Sequence, residues 1–210
     1  MHRWMHLALL LAGLAAGPSF PGLACAQDDF VSDAARLAAA LKLDGGQTIG
    51  DIGAGRGELT VELARKVGSS GRVYATELDP DRLRDIREAA KSAGLKNVSV
   101  LEAHATRTNL PDGCCDALVL RKVYHHIADP QLMNASLRRS LKPGGVLAVL
   151  DFVPDSAESA DPADRDTGDQ HGVTAVTVVR ELEQAGFERV VVEKGARRGD
   201  FMVVVRRPAD

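Results

Sequence analysis

The chain has 210 residues, of which 45% are hydrophobic and 26% charged, a balance typical of one ordinary globular domain rather than of a disordered protein. Its 26 basic and 29 acidic residues leave a formal net charge of −3, so it lacks the basic excess of most nucleic-acid-binding proteins. Aromatic residues make up only 4%, which disfavours a base-stacking surface. No apolar run reaches the roughly 18–20 residues of a spanning helix. We therefore expect no nucleic-acid partner and no transmembrane segment.

The N-terminus has the order of features expected of an export signal. Met1–His6 carries Arg3 and no acid, and the apolar run Leu7–Gly17 follows. Ala24-Cys25-Ala26 then matches the small-residue pattern of a cleavage site, with cleavage expected before Gln27.

This pattern predicts a signal peptide over residues 1–26, export to the periplasm, and a mature domain over residues 27–210. We expect Pro21 and Gly22 to break any helix before the domain begins. Two alternatives stay open: Cys25 could be the lipidated residue of an anchored lipoprotein, or the stretch could form a buried N-terminal helix.

Hydrophobic periodicity alternates between helix and strand along the rest of the chain. The predicted helices are Asp29–Leu43, Glu58–Val67, Pro80–Ala93, Pro130–Leu141 and Thr174–Ala185. The predicted strands are Gln47–Gly53, Arg72–Thr76, Asn97–Leu101, Ala117–Leu120, Val146–Phe152, Phe187–Glu193 and Phe201–Arg206. Apolar strands that alternate with helices predict an α/β fold, with a mostly parallel sheet covered on both faces. The last two strands are joined too closely for a crossover helix, which predicts an antiparallel C-terminal hairpin.

The sequence also supports predictions for an acidic segment and for a pair of cysteines. Pro154–His171, here called the acidic segment, contains six acidic and almost no apolar residues, and long loops of this kind are either functional lids or solvated loops. Cys114 and Cys115 are consecutive, and adjacent cysteines rarely bridge. We expect these two to be small, unpaired residues before a strand.

The first strand ends in the glycine-rich sequence Asp51-Ile52-Gly53-Ala54-Gly55-Arg56-Gly57. Such a turn lets a ligand approach the backbone at the carboxyl end of a parallel strand, facing the N–H groups of the next helix. Gly53 and Gly55 fit the dinucleotide fingerprint, but Glu58 replaces its third glycine and would repel a pyrophosphate. Asp51, just before the glycines, suits a cationic ligand group instead.

An acidic residue follows the second strand, in Thr76-Glu77-Leu78-Asp79-Pro80. A carboxylate at this place can accept hydrogen bonds from both hydroxyls of a ribose. Glu77 stands 20 residues after Gly57, the separation that a βαβ unit requires. The sequence therefore predicts a nucleoside-binding site, whereas Asp79 before Pro80 is typical of a helix cap.

Together these motifs resemble those of the class I S-adenosylmethionine-dependent methyltransferases. The likeness includes Asp51–Gly57, Glu77–Pro80, Leu110–Asp116, Tyr124–Ile127, Leu141–Gly145 and Gly186-Phe187. It implies a Rossmann-like, doubly wound seven-stranded sheet, mostly parallel with an antiparallel C-terminal hairpin strand. It also implies S-adenosyl-L-methionine as cofactor and methyl transfer to a small-molecule acceptor.

The resemblance assigns roles to residues of the cofactor site. Glu77 would hold the ribose, Leu78 would pack on adenine, and His104 stands where family members often carry an acid that bonds the adenine amine. The full set of expected cofactor-binding residues is Asp51, Gly53, Ala54, Gly55, Gly57, Glu77, Leu78, His104 and Arg121.

The resemblance places the catalytic candidates Tyr124, His125 and His126 near the methyl group. We predict that His126 orients or deprotonates the acceptor, with His125 as the alternate and His171 facing the same pocket. A helix cap or a core position is the structural alternative for these histidines. No metal site is expected, because His104, His125, His126 and His171 show no tight ligand spacing.

The leading prediction is therefore a small-molecule methyltransferase. Its rival is an exported, non-catalytic binding protein with the same fold, since S-adenosylmethionine is made in the cytosol. A third hypothesis, a nicotinamide-dependent oxidoreductase, is disfavoured by Glu58. The sequence predicts neither the acceptor atom nor the oligomeric state.

Overall fold

The computed structural model describes residues 21–195 and 197–209 of the chain. Its helices are α1 (Pro21–Leu41), α2 (Glu58–Val67), α3 (Pro80–Ser92), α4 (Pro130–Ser140) and α5 (Ala175–Gln184). Its strands are β1 (Thr48–Ile52), β2 (Arg72–Glu77), β3 (Val98–Glu102), β4 (Cys115–Arg121), β5 (Leu141–Phe152), β6 (Glu188–Lys194) and β7 (Asp200–Arg206). Short 3₁₀ turns lie at Tyr124–His126, Pro162–Asp164 and Gly168–Gln170. Within these described residues, none of the helices combines the length and apolar character that crossing a membrane requires.

The strands form one sheet in the order β3-β2-β1-β4-β5-β7-β6. Strands β1 to β5 run parallel where they pair, and β7 is antiparallel to both β5 and β6. This arrangement confirms the predicted doubly wound, seven-stranded sheet with an antiparallel C-terminal hairpin. The strand order reverses direction between β1 and β4, and ligands of open α/β sheets bind at such a switch point.

The core consists of two layers, one on each face of the sheet. Helices α1 and α2 bury their apolar residues against one face, and α4 and α5 against the other. Helix α2 shows why the sequence dictates this, since Leu59, Leu63 and Val67 recur at helical spacing and are all buried. Burying each such side chain contributes about 1.5–3 kcal/mol.

Helix α1 differs from its prediction at both ends. It begins at Pro21, eight residues before the predicted start, and includes Gly22. Pro21 does not break the helix because it stands at the first position, where a missing N–H costs no hydrogen bond. The helix ends at Leu41, because Lys42 adopts a φ of 53°. The predicted signal peptide lies mostly outside the described residues and stays a prediction.

Strand β5 begins at Leu141 rather than at the predicted Val146. Leu141 pairs with Cys115 and Val146 with Ala117, so the four residues between them on β5 face only Asp116 on β4. The Pro-Gly-Gly sequence after α4 is therefore accommodated as a bulge within the strand rather than as a turn before it.

Cys114 and Cys115 are joined in a disulfide between consecutive residues, with their Cα atoms 3.7 Å apart. The expectation that they are unpaired is therefore wrong. The disulfide directly follows Gly113, which has a φ of 61° and turns the chain. Cys115 is the first residue of β4 and is fully buried.

Candidate functional site

A cavity of about 640 Å³ opens at the carboxyl ends of β1, β2 and β4, which is within the usual size range of small-molecule sites. Most of the residues predicted to bind a cofactor line it: Asp51, Gly53, Ala54, Gly55, Glu77, Leu78, His104 and Arg121. Gly57 does not line the cavity. It caps α2 instead, with a φ of 90°.

The glycines after β1 are required by conformation and by packing. Gly53 has a φ of 69°, and a Cβ atom there would lie 2.6 Å from Cγ2 of Val123. At Gly57 a Cβ atom would lie 3.1 Å from the Cα atom of Ile86. Gly55, with a φ of 59°, faces open space, so its backbone is free to approach a ligand.

Glu77 joins the glycine loop to the end of β2. Its carboxylate accepts hydrogen bonds from the backbone N–H of Gly55 at 2.9 Å and of Leu78 at 2.7 Å. The side chain is largely buried, and the guanidinium of Arg82 lies 3.9 Å from it. The carboxylate is therefore held at the cavity wall in one orientation.

Asp51 is a buried acid beneath the same loop. It is 1% exposed, and its Oδ2 accepts a hydrogen bond of 2.6 Å from the Thr60 hydroxyl. Burial raises the pKa of Asp51 to about 6, while the Thr60 bond and the Arg121 charge oppose this rise. Around neutral pH the carboxylate is ionised and attracts a cationic ligand group.

Helix α1 contributes a wall that the sequence analysis missed. The Nε atom of Arg121 donates a hydrogen bond of 2.6 Å to Asp33, and its guanidinium lies 4.2 Å from the ring centroid of Phe30. Phe30 itself lines the cavity. No local motif surrounds Phe30 or Asp33, and only the fold brings α1 beside the end of β4.

Leu78 and His104 also line the cavity. Leu78 is 54% exposed although it is hydrophobic, and it presents an apolar surface to the cavity. His104 is also exposed and follows β3, with Ala103 and Ala105 lining the cavity beside it. The structure thus brings both predicted residues to the same cavity.

Tyr124 lies away from the cavity. It is fully buried, its hydroxyl donates to Glu181 at 3.1 Å and accepts from Asn134 at 2.7 Å. Burial, and next the Glu181 charge, raises its pKa well above the ordinary value, so it stays a protonated donor. Tyr124 therefore does not face the cavity, as was expected of a catalytic residue. It has a structural role between α4 and α5 instead.

Of the two adjacent histidines, only His126 lines the cavity. His125 is 1% exposed, and its Nδ1 lies 2.7 Å from Oδ1 of Asp151, so it is corrected from an alternate base to a buried residue. Burial, followed by the charges of His125 and His171, lowers the pKa of His126.

Three of the four histidines considered for a metal site converge in space, and His104 lies outside the group. The rings of His125 and His171 have centroids 4.7 Å apart. This convergence is not visible in the sequence spacing, because His171 reaches the other two histidines through the fold, from the end of the acidic segment.

The acidic segment is anchored by a buried cation rather than freely solvated. Arg165 is 2% exposed and pairs with Glu181 of α5 at 2.8 Å and with Glu158 at 3.7 Å. This lone arginine among acids ties the segment to α5 and positions His171 close to His126.

Comparison with known proteins shows similarity to methyltransferases. The sequence profile described as "Methyltransferase domain" matches residues 50–149. The ubiquinone/menaquinone biosynthesis C-methyltransferase of Enterobacter sp. strain 638 is 34% identical over 108 residues, which cover 51% of this chain and 43% of that protein. The chain thus spans less than half the length of this relative. A SAM-dependent methyltransferase from Aquifex aeolicus is 26% identical with a TM-score of 0.71, covering 83% of this chain and 89% of that one.

These comparisons identify a methyltransferase domain in residues 50–149 and support a class I S-adenosylmethionine-dependent methyltransferase. S-adenosylmethionine is the cofactor of this family. The cyclase SpnF, 20% identical with a TM-score of 0.76 over 86% of this chain and 82% of its own, shares the fold alone.

The residues of this methyltransferase fit the family cofactor. Glu77 offers acceptor oxygens suited to a ribose, Leu78 offers an apolar surface suited to an adenine ring, and Asp51 offers a negative charge suited to an ammonium group. The open space at Gly55 leaves room for the ligand between them.

Proposed function

We propose that this protein transfers a methyl group from S-adenosylmethionine to a small-molecule acceptor bound in the same cavity. The observation that supports this most is the buried Glu77 carboxylate, fixed by the glycine loop at the edge of a cavity of about 640 Å³. The cofactor supplies an activated methyl group on a sulfonium, which leaves as a neutral thioether. The protein then has to hold donor and acceptor in line, which alone can contribute about 7–11 kcal/mol.

The cofactor side of the cavity is defined by residues 51–57 and 76–79. We propose that it binds S-adenosylmethionine through three kinds of contact. Glu77 accepts hydrogen bonds from the ribose, Leu78 packs on adenine, and Asp51 attracts the methionine ammonium. Arg121, held by Asp33 and Phe30, is proposed to fix the remaining part of the methionine end.

The acceptor side of the cavity consists of His126 with His125 and His171 behind it. His126 alone of the three is among the cavity-lining residues, so we propose that it orients the acceptor or takes its proton. His125, fixed by Asp151, is proposed to position it, since the two imidazole centroids are 4.0 Å apart.

Calorimetry with S-adenosylmethionine and S-adenosylhomocysteine tests the cofactor site. Wild type should bind both, and Glu77→Ala should lose about 1–3 kcal/mol, roughly 5- to 150-fold in Kd. Glu102→Ala is the matched control, because Glu102 is the register partner of Glu77 on β3 but is exposed and outside the cavity lining. A wild-type protein that binds neither ligand, or that prefers NAD, contradicts the proposal.

A second candidate is an exported binding protein that uses the fold without methyl transfer. The N-terminal sequence favours it, since export would separate the protein from cytosolic S-adenosylmethionine. Incubating wild type and Glu77→Ala with methyl-labelled S-adenosylmethionine and a metabolite extract separates the two candidates. Label in a small molecule that appears only with wild type supports the enzyme, and cofactor binding with no transferred label supports the binding protein.

We also propose that the protein is exported and cleaved before Gln27. Cleavage there would remove Trp4, the only tryptophan, and would leave Phe30 and Asp33 in place beside Arg121. Intact mass of the processed protein should start at Gln27, and its emission spectrum should lack indole fluorescence. A lipidated N-terminal Cys25 would favour the anchored alternative, and a product that retains Trp4 would contradict cleavage.

A further inference from the structure

The imidazoles of His125, His126 and His171 form a compact cluster beside the cavity. One ring nitrogen from each lies within 4.8 Å of the others. The ring centroids are 4.0 Å apart for His125 and His126, and 5.9 Å apart for His126 and His171. Imidazole is the commonest metal ligand in proteins, and three ligand nitrogens this close together could hold one metal ion.

One histidine of the cluster has the support that a metal ligand needs. Asp151 is 1% exposed, and its carboxylate accepts a hydrogen bond from Nδ1 of His125 at 2.7 Å. The same carboxylate accepts the backbone N–H of Phe152 at 3.0 Å. With the proton on Nδ1, the lone pair on Nε2 of His125 is free. Metal-bound histidines commonly donate their other ring N–H to a carboxylate in this way.

The other two histidines are free to act as ligands. In the part of the chain that the structure describes, the side chains of His126 and His171 make no hydrogen bond, only ring contacts. His126 is solvent-accessible and lines the cavity. Neither ring is held in place by a competing partner, so both can turn toward a common ion.

The distances and charges suit a divalent ion. Nitrogen ligands bind zinc at about 2.0–2.1 Å, which places tetrahedral ligand atoms about 3.3 Å apart. The cluster's upper limit of 4.8 Å exceeds this separation by about 1.5 Å, which rotation of the His126 and His171 rings would have to close. Asp151 behind His125 and the charge of Asp166 acting on His126 supply negative charge, while the ammonium of Lys122 lies 5.8 Å from the centroid of the Phe152 ring.

We propose that His125, His126 and His171 bind one divalent transition-metal ion of the class that prefers imidazole ligands, such as Zn²⁺, with Asp151 as the residue that positions His125. Three protein ligands leave a fourth position for water or a ligand oxygen. Because His126 lines the cavity, that position lies beside the acceptor side. If methyl transfer occurs as proposed above, the ion would polarise the acceptor in place of a free His126 base. Ion binding itself does not depend on that function.

The test is calorimetric titration of chelator-treated, untagged full-length protein with ZnCl₂, followed by Co²⁺ substitution. Wild type should bind one ion per chain, and the Co²⁺ form should show the visible absorption of a low-coordinate nitrogen site. His171→Ala should weaken Zn²⁺ binding at least 100-fold. Asp151→Asn should weaken it about 10- to 100-fold.

The controls separate this site from other ligands in the chain. His104→Ala removes a histidine beside the same cavity but outside the cluster, and should keep full Zn²⁺ affinity. His2, His6 and the cysteines are common to wild type and His171→Ala, so they cancel in that comparison. The inference is overturned if wild type shows no saturable binding, or if His171→Ala and His126→Ala bind Zn²⁺ as wild type does.

A failure here can be told apart from a failure of the proposed function. Glu77→Ala should lose affinity for S-adenosylmethionine and keep Zn²⁺ binding, whereas His171→Ala should do the reverse. If Asp151→Asn fails to fold, His171→Ala still decides the question, because among the described residues the His171 side chain makes ring contacts but no hydrogen bond that the substitution would remove.

Discussion

The cofactor side of the cavity is formed by residues close together in sequence, whereas the acceptor side is assembled from distant parts of the chain. The glycine loop and Glu77 belong to one βαβ unit and are linked directly by the hydrogen bond from Gly55. His126 and His171 are separated by α4, β5 and the acidic segment, and they meet only when that segment folds onto α5.

The two sides of the cavity are also stabilised by different interactions. Backbone amides and glycine conformations hold the cofactor side, so its shape follows from local geometry. A buried ion cluster holds the acceptor side, because Arg165 joins Glu158 of the acidic segment to Glu181 of α5. A single substitution at Arg165 should therefore disturb one side and spare the other.

Arg165→Met should cause the largest loss of stability. It leaves Glu158 and Glu181 without their cation, which typically costs about 3–5 kcal/mol when the partners are buried. Urea denaturation measures this, and calorimetry of the same variant should show near-normal affinity for S-adenosylmethionine at the cofactor side. Arg84→Met is the control, since Arg84 forms an exposed ion pair with Asp81 and should cost under about 1 kcal/mol. Equal losses in the two variants would contradict a structural role for the Arg165 cluster.

Gly53→Ala should cause the next largest loss of stability, and this residue lies on the cofactor side. An alanine at a φ of 69° is strained, and its Cβ atom would also overlap with Val123. Gly94→Ala is the matched control, because Gly94 has the same φ of 69° but open space around it. The excess cost at Gly53, about 1–3 kcal/mol, isolates the overlap with Val123.

Thermal and urea unfolding measure that excess, and calorimetry should show weakened cofactor binding only for Gly53→Ala. Comparable stability and affinity in both glycine variants would show that the loop tolerates a shift at Val123. In that case the cofactor side would be less rigid than its hydrogen bonds indicate.

The same contrast explains how much the sequence could predict. Helix α2 was predicted with the observed ends, and the mostly parallel sheet was predicted from strands alternating with helices. The glycine loop and Glu77 were found because their spacing is fixed by the βαβ geometry. Local chemistry and local spacing were sufficient for these features.

The acceptor side was harder to predict because its contacts are long-range. Nothing near His171 in sequence indicates that it meets His125, and nothing near Arg165 indicates that it is buried. Tyr124 was misplaced for a related reason, since the 3₁₀ turn after β4 points Tyr124 into the core and His126 toward the cavity. A three-residue turn gives no periodicity from which these directions could be read.

The smallest expected effect is the pH dependence of cofactor affinity, which comes from Asp51. Burial raises its pKa to about 6, so the carboxylate is ionised above that pH and protonated below it. The attraction for a ligand ammonium is therefore present at pH 7 and lost as the pH falls. If only the ionised form binds well, the Kd of S-adenosylmethionine should rise about tenfold between pH 7 and pH 5, or about 1.4 kcal/mol.

Asp51→Asn separates this charge from the packing around it, because the amide oxygen can still accept the Thr60 hydrogen bond. The variant should bind more weakly at pH 7 and should lose the change between pH 7 and pH 5. The raised pKa has the opposite effect on folding, because the folded state takes up a proton more readily than the unfolded chain. The Asp51 contribution to the stability of the unliganded protein should therefore increase as the pH falls through about 6, while cofactor affinity decreases. Parallel changes in stability and affinity would place the titrating group outside the buried cofactor side.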